Sequence, residues 1–245
     1  MDRQIIGLIV ILCTKGNDEM QKIREILPLY FVAGTQDCRH LGENSEQNLL
    51  SVLKQALDGG ITCFQFRDKG KFSLEHSPSA QKALAIACRD MCREYRVPFI
   101  INDNVDLAFE LEADGVHVGQ TDMAVEVIRA KANKEMIVGW SVNLLEEAKI
   151  GEAMAEIDYF GIGPIFPTYS KENPKPTRGM VFVQHLRQSG ITKPLVAIGG
   201  VKREHVRTLR EFGADGVAVI SAICRAENVR EMTRVLRSVS QEFNS

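Results

Sequence analysis

Along most of the chain, short apolar runs rich in β-branched and aromatic residues alternate with longer segments whose apolar positions recur at helical spacing. The runs "PLYFVA" (28–33), "ITCFQF" (61–66), "PFII" (98–101), "GVHV" (115–118), "MIVGW" (136–140), "DYFGIG" (158–163), "PLVAI" (194–198) and "GVAVI" (216–220) predict strands. Between and after them lie "EQNLLSVLKQALDGG", "SAQKALAIACRDMCREY", "DLAFELEA", "AVEVIRAKA", "LLEEAKIGEAMAE", "VFVQHLRQSG", "REHVRTLREFG" and "VREMTRVLRSVSQEF", which predict helices. In the first of these, Leu49, Leu50, Leu53 and Leu57 share one face, and Gly59–Gly60 is a stop signal. Strands that alternate with helices pair in parallel through right-handed crossovers. Eight units of about 27 residues each fit a closed (β/α)8 TIM barrel spanning residues 27–245, with a doubly wound open sheet as the alternative.

Two features stand out against this rhythm. "EADGVHV" and "GADGVAV" both enter a strand through Ala-Asp-Gly, and "EIDYFGI" is a looser relative; this is the turn chemistry of an αβ loop. The one long irregular stretch is "PIFPTYSKENPKPTRG" (164–179), after the sixth strand. Long loops in compact domains are usually functional, and a βα loop of a barrel lies on its catalytic face.

Composition narrows the partners. A net charge of −2 gives no global basic field to hold nucleic acid or an acidic membrane surface, so any anion site must be local. The six cysteines are scattered at 13, 38, 63, 88, 92 and 224, as expected of a reducing, cytoplasmic setting in which thiols pack as small apolar groups. Residues 1–26 form an N-terminal extension of unknown role. Its run "IIGLIVILC" is too short to span a bilayer, and no small-residue cleavage pattern follows it.

Unusual polar residues collect at the C-terminal ends of the strands. Gln65, Arg67 and Lys69 are spaced two apart and form one polar row at the end of strand two. Strand three ends in Asn102–Asp103, strand four runs into "GQTD" with Asp122, and strand five ends in Ser141. Strand six leads to Thr168, Ser170 and Lys171, strand seven to Gly199–Gly200, and strand eight to Ile220–Ser221. Asp103, Asp122 or Ser141 could each be a helix N-cap, but in a barrel all of these ring one mouth. Glycines after strand seven and small residues after strand eight suit a phosphate held by backbone N–H groups. Two carboxylates without histidine or cysteine beside them suit a hard cation such as Mg2+, which prefers a few carboxylates plus substrate phosphate oxygens. With cations at 67, 69 and 171, the row predicts a diphosphate, and a second anion site holds a monophosphate. No Ser–His or Cys–His arrangement is expected at the mouth. His117, inside strand four, is expected to be packed rather than a base.

The motifs "QFRDKG", "INDNVDLA", "ADGVHVGQTD", "GWS", "GIGPIFPTYSK", "VAIGGV" and "GADGVAVISAI" run in order from about residue 28 to 230, and with them the chain resembles the thiamine phosphate synthase (thiamine-phosphate pyrophosphorylase) family. The resemblance implies a (β/α)8 barrel transferase that joins 4-amino-5-hydroxymethyl-2-methylpyrimidine diphosphate to 4-methyl-5-(2-hydroxyethyl)thiazole phosphate, giving thiamine phosphate and diphosphate. Carried over by match, Gln65, Phe66, Arg67, Asp68, Lys69, Asn102, Ser141 and Lys171 hold the pyrimidine diphosphate, with Arg67, Lys69, Ser141 and Lys171 catalytic. Thr168, Tyr169, Ser170, Gly200, Ile220 and Ser221 hold the thiazole phosphate, and Asp103 and Asp122 hold Mg2+. The chain departs from the pattern at Asp68, where Glu is usual, at Ser170, where Thr is common, and at Asn143, where many members have His. A thiazole tautomerase-like paralogue, another phosphate-sugar barrel enzyme and a non-catalytic precursor-binding barrel are the competing readings. The tautomerase has no need of a diphosphate site. The expected partners are the two small-molecule substrates, with homo-oligomerisation left open.

Overall fold

The computed structural model describes residues 18–132, 135–168, 170 and 175–241. Each of the eight apolar runs supplies one strand: Leu29–Ala33 (β1), Cys63–Phe66 (β2), Phe99–Asn102 (β3), Gly115–Val118 (β4), Ile137–Val142 (β5), Tyr159–Ile162 (β6), Leu195–Ile198 (β7) and Gly216–Val219 (β8). All pair in parallel with their sequence neighbours, and β8 closes on β1 through Tyr30 opposite Ala218. The sheet is therefore a closed barrel, not the open alternative. The fifth strand runs two residues further than its apolar run, which places Ser141 inside β5.

Residues 18–26 are helical (α1). The other helices are Thr35–Cys38 (α2), Ser45–Gly59 (α3), Pro78–Tyr95 (α4), Val105–Glu110 (α5), Val125–Lys131 (α6), Leu145–Glu152 (α7), Val181–Gln188 (α8), Arg203–Glu211 (α9), Ser221–Cys224 (α10) and Val229–Gln241 (α11). Helix α3 shows how locally these are specified. The Asn44 side chain caps its start by accepting from Gln47 N–H, Leu49, Leu53 and Leu57 bury one face, and Gly60 ends it in the left-handed conformation.

Strand residues alternate between two cores, as a period of two requires. Phe31, Phe64, Phe99, Val116, Val138, Phe160 and Val217 face outward and pack under the helices. Tyr30, Val32, Cys63, Ile100, Tyr159, Val196 and Ala218 face inward and fill the barrel. Ile23 and Ile26 pack against this inner cluster from below, and Arg24 donates from Nε to Asp215 Oδ1 at 2.9 Å. Helix α1 thus closes the N-terminal end of the barrel, although it lies within the stretch expected to be an extension; the apolar run at 5–13 lies outside the described residues.

The repeated Ala-Asp-Gly phrase has a role beyond turn chemistry. Asp114, Asp158 and Asp215 stand just before β4, β6 and β8, and each accepts the first or second backbone N–H of the preceding strand, from Phe99 at 2.8 Å, Val138 at 2.7 Å and Leu195 at 2.8 Å. Thr62 Oγ1 does the same for Leu29 N–H, before β2. Every even strand therefore satisfies an orphan donor at the bottom of its odd neighbour. Among the described residues, no helix is long and apolar enough to cross a membrane.

Candidate active site

The strand C-termini gather the polar residues at the opposite end. Gln65 Nε2 donates to Tyr30 Oη inside the barrel at 2.9 Å. Above it, Arg67 Nη1 donates to the backbone carbonyl of Ser170 at 3.3 Å, and Lys69 Nζ pairs with Asp103 Oδ2 at 2.8 Å. β2 ends at Phe66, so Arg67 and Lys69 stand beyond the strand, with the guanidinium toward the loop after β6 and the ammonium toward the end of β3.

Asp103 is not the cap of α5. That place is taken by Asn104, whose side chain accepts from Leu107 N–H. Asp103 instead sits at φ +59°, and the next N–H, of Asn104, turns back onto the Asn102 carbonyl at 2.7 Å. Such a conformation costs a non-glycine residue about 1–3 kcal/mol and persists where the surroundings impose it, often at functional sites. It brings the Asp103 carboxyl within hydrogen-bonding reach of Asp122. Burial works to raise Asp103, but the Lys69 ammonium and a hydrogen bond from Asp122 hold it below the usual carboxylate range. Burial raises Asp122, against the Gly119 N–H that it accepts at 2.7 Å, and the neighbouring Asp103 charge raises it further. Two neighbouring carboxyls pushed apart in this way favour a cation beside them. Lys69 supplies that cation in this structure.

Across the mouth, the loop after β6 lies on the loop after β7. Ile165 and Phe166 donate to the carbonyls of Ile198 and Gly199, each at 2.9 Å. Gly199 and Gly200 have φ +98° and +61°, and a Cβ on Gly200 would stand 2.5 Å from Pro167 O and 2.8 Å from Phe166 Cβ. Only glycine permits both the backbone and the close approach. Thr168 Oγ1 accepts from Ser170 N–H at 3.3 Å, and Ile220 and Ser221 open α10 beside the loop after β7. Tyr169 and Lys171 lie outside the described residues.

The side chains of Phe66 and Asp68, carried over as diphosphate contacts, are placed elsewhere. Phe66 points outward into the core beneath the helices. The Asp68 carboxylate is buried and accepts from Thr35 N at 2.8 Å, Thr35 Oγ1 at 2.5 Å, Leu74 N at 2.9 Å and Gln81 Nε2 at 3.1 Å. It fastens the loop that carries Arg67 and Lys69. Asn143, the largest departure from the family pattern, is buried and donates to the Gly163 carbonyl at the start of the loop after β6.

The mouth also holds what the sequence did not announce. Ser141 Oγ lies 2.9 Å from His117 Nε2, a Ser–His contact that was not expected there. His117 Nδ1 lies 3.0 Å from Tyr159 Oη, and Tyr159 Oη lies 2.8 Å from Tyr30 Oη. His117 is therefore packed, as expected, but as one link of a polar chain running from Gln65 to Ser141. The available signal was three polar aromatic residues at inward positions, with glycine at 139 and 161 on the adjoining strands.

The family model described as thiamine monophosphate synthase matches residues 29–223. The chain is 76% identical over 224 residues to the thiamine-phosphate synthase of Haemophilus influenzae strain Rd, covering 91% of this chain and 99% of that one. It is 58% identical to the thiamine-phosphate synthase of Actinobacillus pleuropneumoniae serotype 7, covering 89% and 100% of the two chains. In three dimensions it superposes on the thiamine phosphate pyrophosphorylase of Pyrococcus furiosus with a TM-score of 0.76 at 33% identity, covering 91% of this chain and all of that one.

Proposed function

Because the chain belongs to the thiamine monophosphate synthase family and carries its transferase activity, thiamine-phosphate synthesis, we propose that its mouth joins an aminopyrimidine diphosphate to a thiazole phosphate by the division of labour that follows. The observation that carries it is the cluster Lys69–Asp103–Asp122, with Arg67 beside it, facing a glycine-lined wall across the mouth. The first half suits a diphosphate and the second a monophosphate.

Arg67 and Lys69, with Lys171 from the loop after β6, take the diphosphate. Gln65, Asn102 and Ser141 meet the pyrimidine side of the same substrate. Backbone N–H groups at Gly200, Ile220 and Ser221, with Thr168, Tyr169 and Ser170, hold the thiazole phosphate. The bond between the pyrimidine methylene and the diphosphate oxygen breaks, and the electron pair leaves with diphosphate. The thiazole nitrogen then supplies the pair for the new C–N bond. The cations stabilise charge as it gathers on the departing oxygens, and this preorganised stabilisation is the main protein contribution. Holding the two rings side by side makes a protein nucleophile unnecessary. Ser141 fits that account, since its His117 partner meets the Tyr159 hydroxyl through Nδ1.

Mg2+ fits the donor set: two adjacent oxygen ligands, no sulfur or nitrogen, and a cation position filled here by Lys69. Asp103 and Asp122 would hold it, and when bound it would neutralise charge on the diphosphate and free Lys69 to contact that group directly. Among the described residues, no cluster of three or more acidic, histidine or cysteine side chains offers a complete protein cage, so substrate oxygens and water would finish the shell. The test is Asp103→Ala, assayed across a Mg2+ titration. Loss of coupling in a protein that melts like the wild type supports the assignment, and wild-type activity at ordinary Mg2+ overturns it.

A further inference from the structure

The polar chain Gln65–Tyr30–Tyr159–His117–Ser141 crosses the barrel beneath the mouth with contacts of 2.9, 2.8, 3.0 and 2.9 Å. The barrel makes room for it at a cost. A Cβ at Gly139 would stand 2.5 Å from His117 Nδ1 and closer still to Tyr159 Oη, and one at Gly161 would stand 2.8 Å from His117 Cε1. Two strand positions that could carry packing side chains are left empty so that the two rings can meet. Apolar residues would fill the same space without leaving polar atoms to satisfy, so a purely structural reason is weak.

The Gln65 amide sets one continuous direction through the chain, with the Cys63 thiol also within hydrogen-bonding reach of Tyr30. Burial pushes both phenols far above their ordinary range, so each keeps its single proton. Gln65 donates from Nε2 to Tyr30 Oη. Tyr30 then donates to Tyr159, and Tyr159 to His117 Nδ1. With a neutral imidazole, that contact puts the ring proton on Nε2, aimed at Ser141 Oγ, and turns the Ser141 proton outward. At the other end the Gln65 amide keeps its carbonyl oxygen as an acceptor for a ligand. In that arrangement the five groups turn together: the amide flips, two hydroxyls rotate, the imidazole changes tautomer and the serine turns.

We propose that Tyr30, Tyr159 and His117 are positioning residues that lock Gln65 as a hydrogen-bond acceptor and Ser141 as a donor, and so select an aminopyrimidine over an oxopyrimidine. The inference rests on the placement of the pyrimidine diphosphate at Gln65 and Ser141 given above. An exocyclic amino group meets the Gln65 carbonyl oxygen, and a ring nitrogen or phosphate oxygen accepts from Ser141. An oxo group at the same place sets one acceptor against another. A buried site built for one pattern rejects the other strongly, because its own groups are left unpaired.

The test measures kcat/KM for the aminopyrimidine diphosphate and for its analogue with a carbonyl in place of the amino-bearing carbon, with Mg2+ and saturating thiazole phosphate. The proteins are wild type, Tyr159→Phe, Tyr30→Phe and Gln65→Ala, each checked by thermal melting. We expect the wild type to prefer the amino substrate by about 100-fold or more and Tyr159→Phe to lose at least about 10-fold of that preference. Its KM for the pyrimidine diphosphate should rise while its KM for the thiazole phosphate stays within about two-fold. Tyr30→Phe breaks another link and should relax the preference likewise, which covers the case in which Tyr159→Phe does not fold. Folded tyrosine variants that keep the wild-type preference overturn the inference, as does a fall in kcat with both KM values and the preference unchanged. An unchanged pyrimidine KM in Gln65→Ala overturns the underlying placement, and the inference with it.

Discussion

Asp37 offers a prediction whose size follows from the structure. It lies on α2, behind the strand end that carries Arg67, and accepts from Gly34 N–H at 3.0 Å and Gln36 Nε2 at 2.8 Å. Gln36 Nε2 in turn donates to the Arg67 carbonyl at 2.7 Å. Burial outweighs these hydrogen bonds and the nearby Arg67 charge, and pushes the carboxyl from 3.8 up to about 6. The folded state therefore holds this proton more tightly than the unfolded chain does. Stability from the protonated form is complete below about pH 4, falls as pH rises through about 6, and is lost above it. A gap of about two pH units at 1.36 kcal/mol each corresponds to about 3 kcal/mol, and partial solvent contact reduces this to about 2 kcal/mol. Asp37→Asn removes the charge and keeps the shape. It should be about 2 kcal/mol more stable than wild type at pH 8, or about 4–8 °C in Tm for a chain of this size, and no more stable at pH 4. Urea or thermal unfolding followed by circular dichroism at both pH values measures it. Equal stability at pH 8, or the same gain at both pH values, refutes the reasoning.

Three further outcomes are expected. Arg67→Ala should lower kcat/KM for coupling by about 100- to 1,000-fold without lowering Tm, because it removes charge stabilisation at the mouth and no core packing; steady-state kinetics beside a thermal melt checks both halves. Gly200→Ala forces a Cβ against Pro167 O at 2.5 Å in a left-handed backbone, and should raise KM for the thiazole phosphate by about 10-fold while barely moving KM for the pyrimidine diphosphate. Asp68→Ala leaves three buried or half-buried donors, Thr35 N–H, Thr35 Oγ1 and Leu74 N–H, without their acceptor and should cost about 3 kcal/mol in urea unfolding; full stability with lost activity would mean that Asp68 meets a ligand after all.

The barrel was legible in the sequence because its signals are local. Period-two apolar runs, helical stripes and glycine stops specify each unit, and eight such units leave few topologies. The polar residues past β2 were legible for a related reason: Gln65, Arg67 and Lys69 have no packing use at a strand end, although the strand stops at Phe66 and alternation alone does not place the two cations. Asp68 and Phe66 show where this stops. Both lie in the same motif as Arg67, but alternation turns Phe66 outward, and Asp68 is claimed by Thr35, Leu74 and Gln81, partners up to 33 residues away that no spacing rule connects to it. The inner chain was hidden for the same reason. Tyr30, His117 and Tyr159 sit on three different strands and meet only because the sheet closes on itself. Helix α1 was obscured by the apolar run before it, which drew attention to the membrane rather than to Ile23 and Ile26 under the barrel.

The most direct measurement is of the coupling reaction itself. Purified protein is mixed with the aminopyrimidine diphosphate, the thiazole phosphate and Mg2+, and thiamine phosphate and diphosphate are followed by chromatography, with an EDTA control. Formation of both products in equal amounts, abolished by EDTA and restored by added Mg2+, is the predicted result. A folded protein that binds the thiazole phosphate but forms neither product, or one that forms both at full rate in EDTA, would contradict the account.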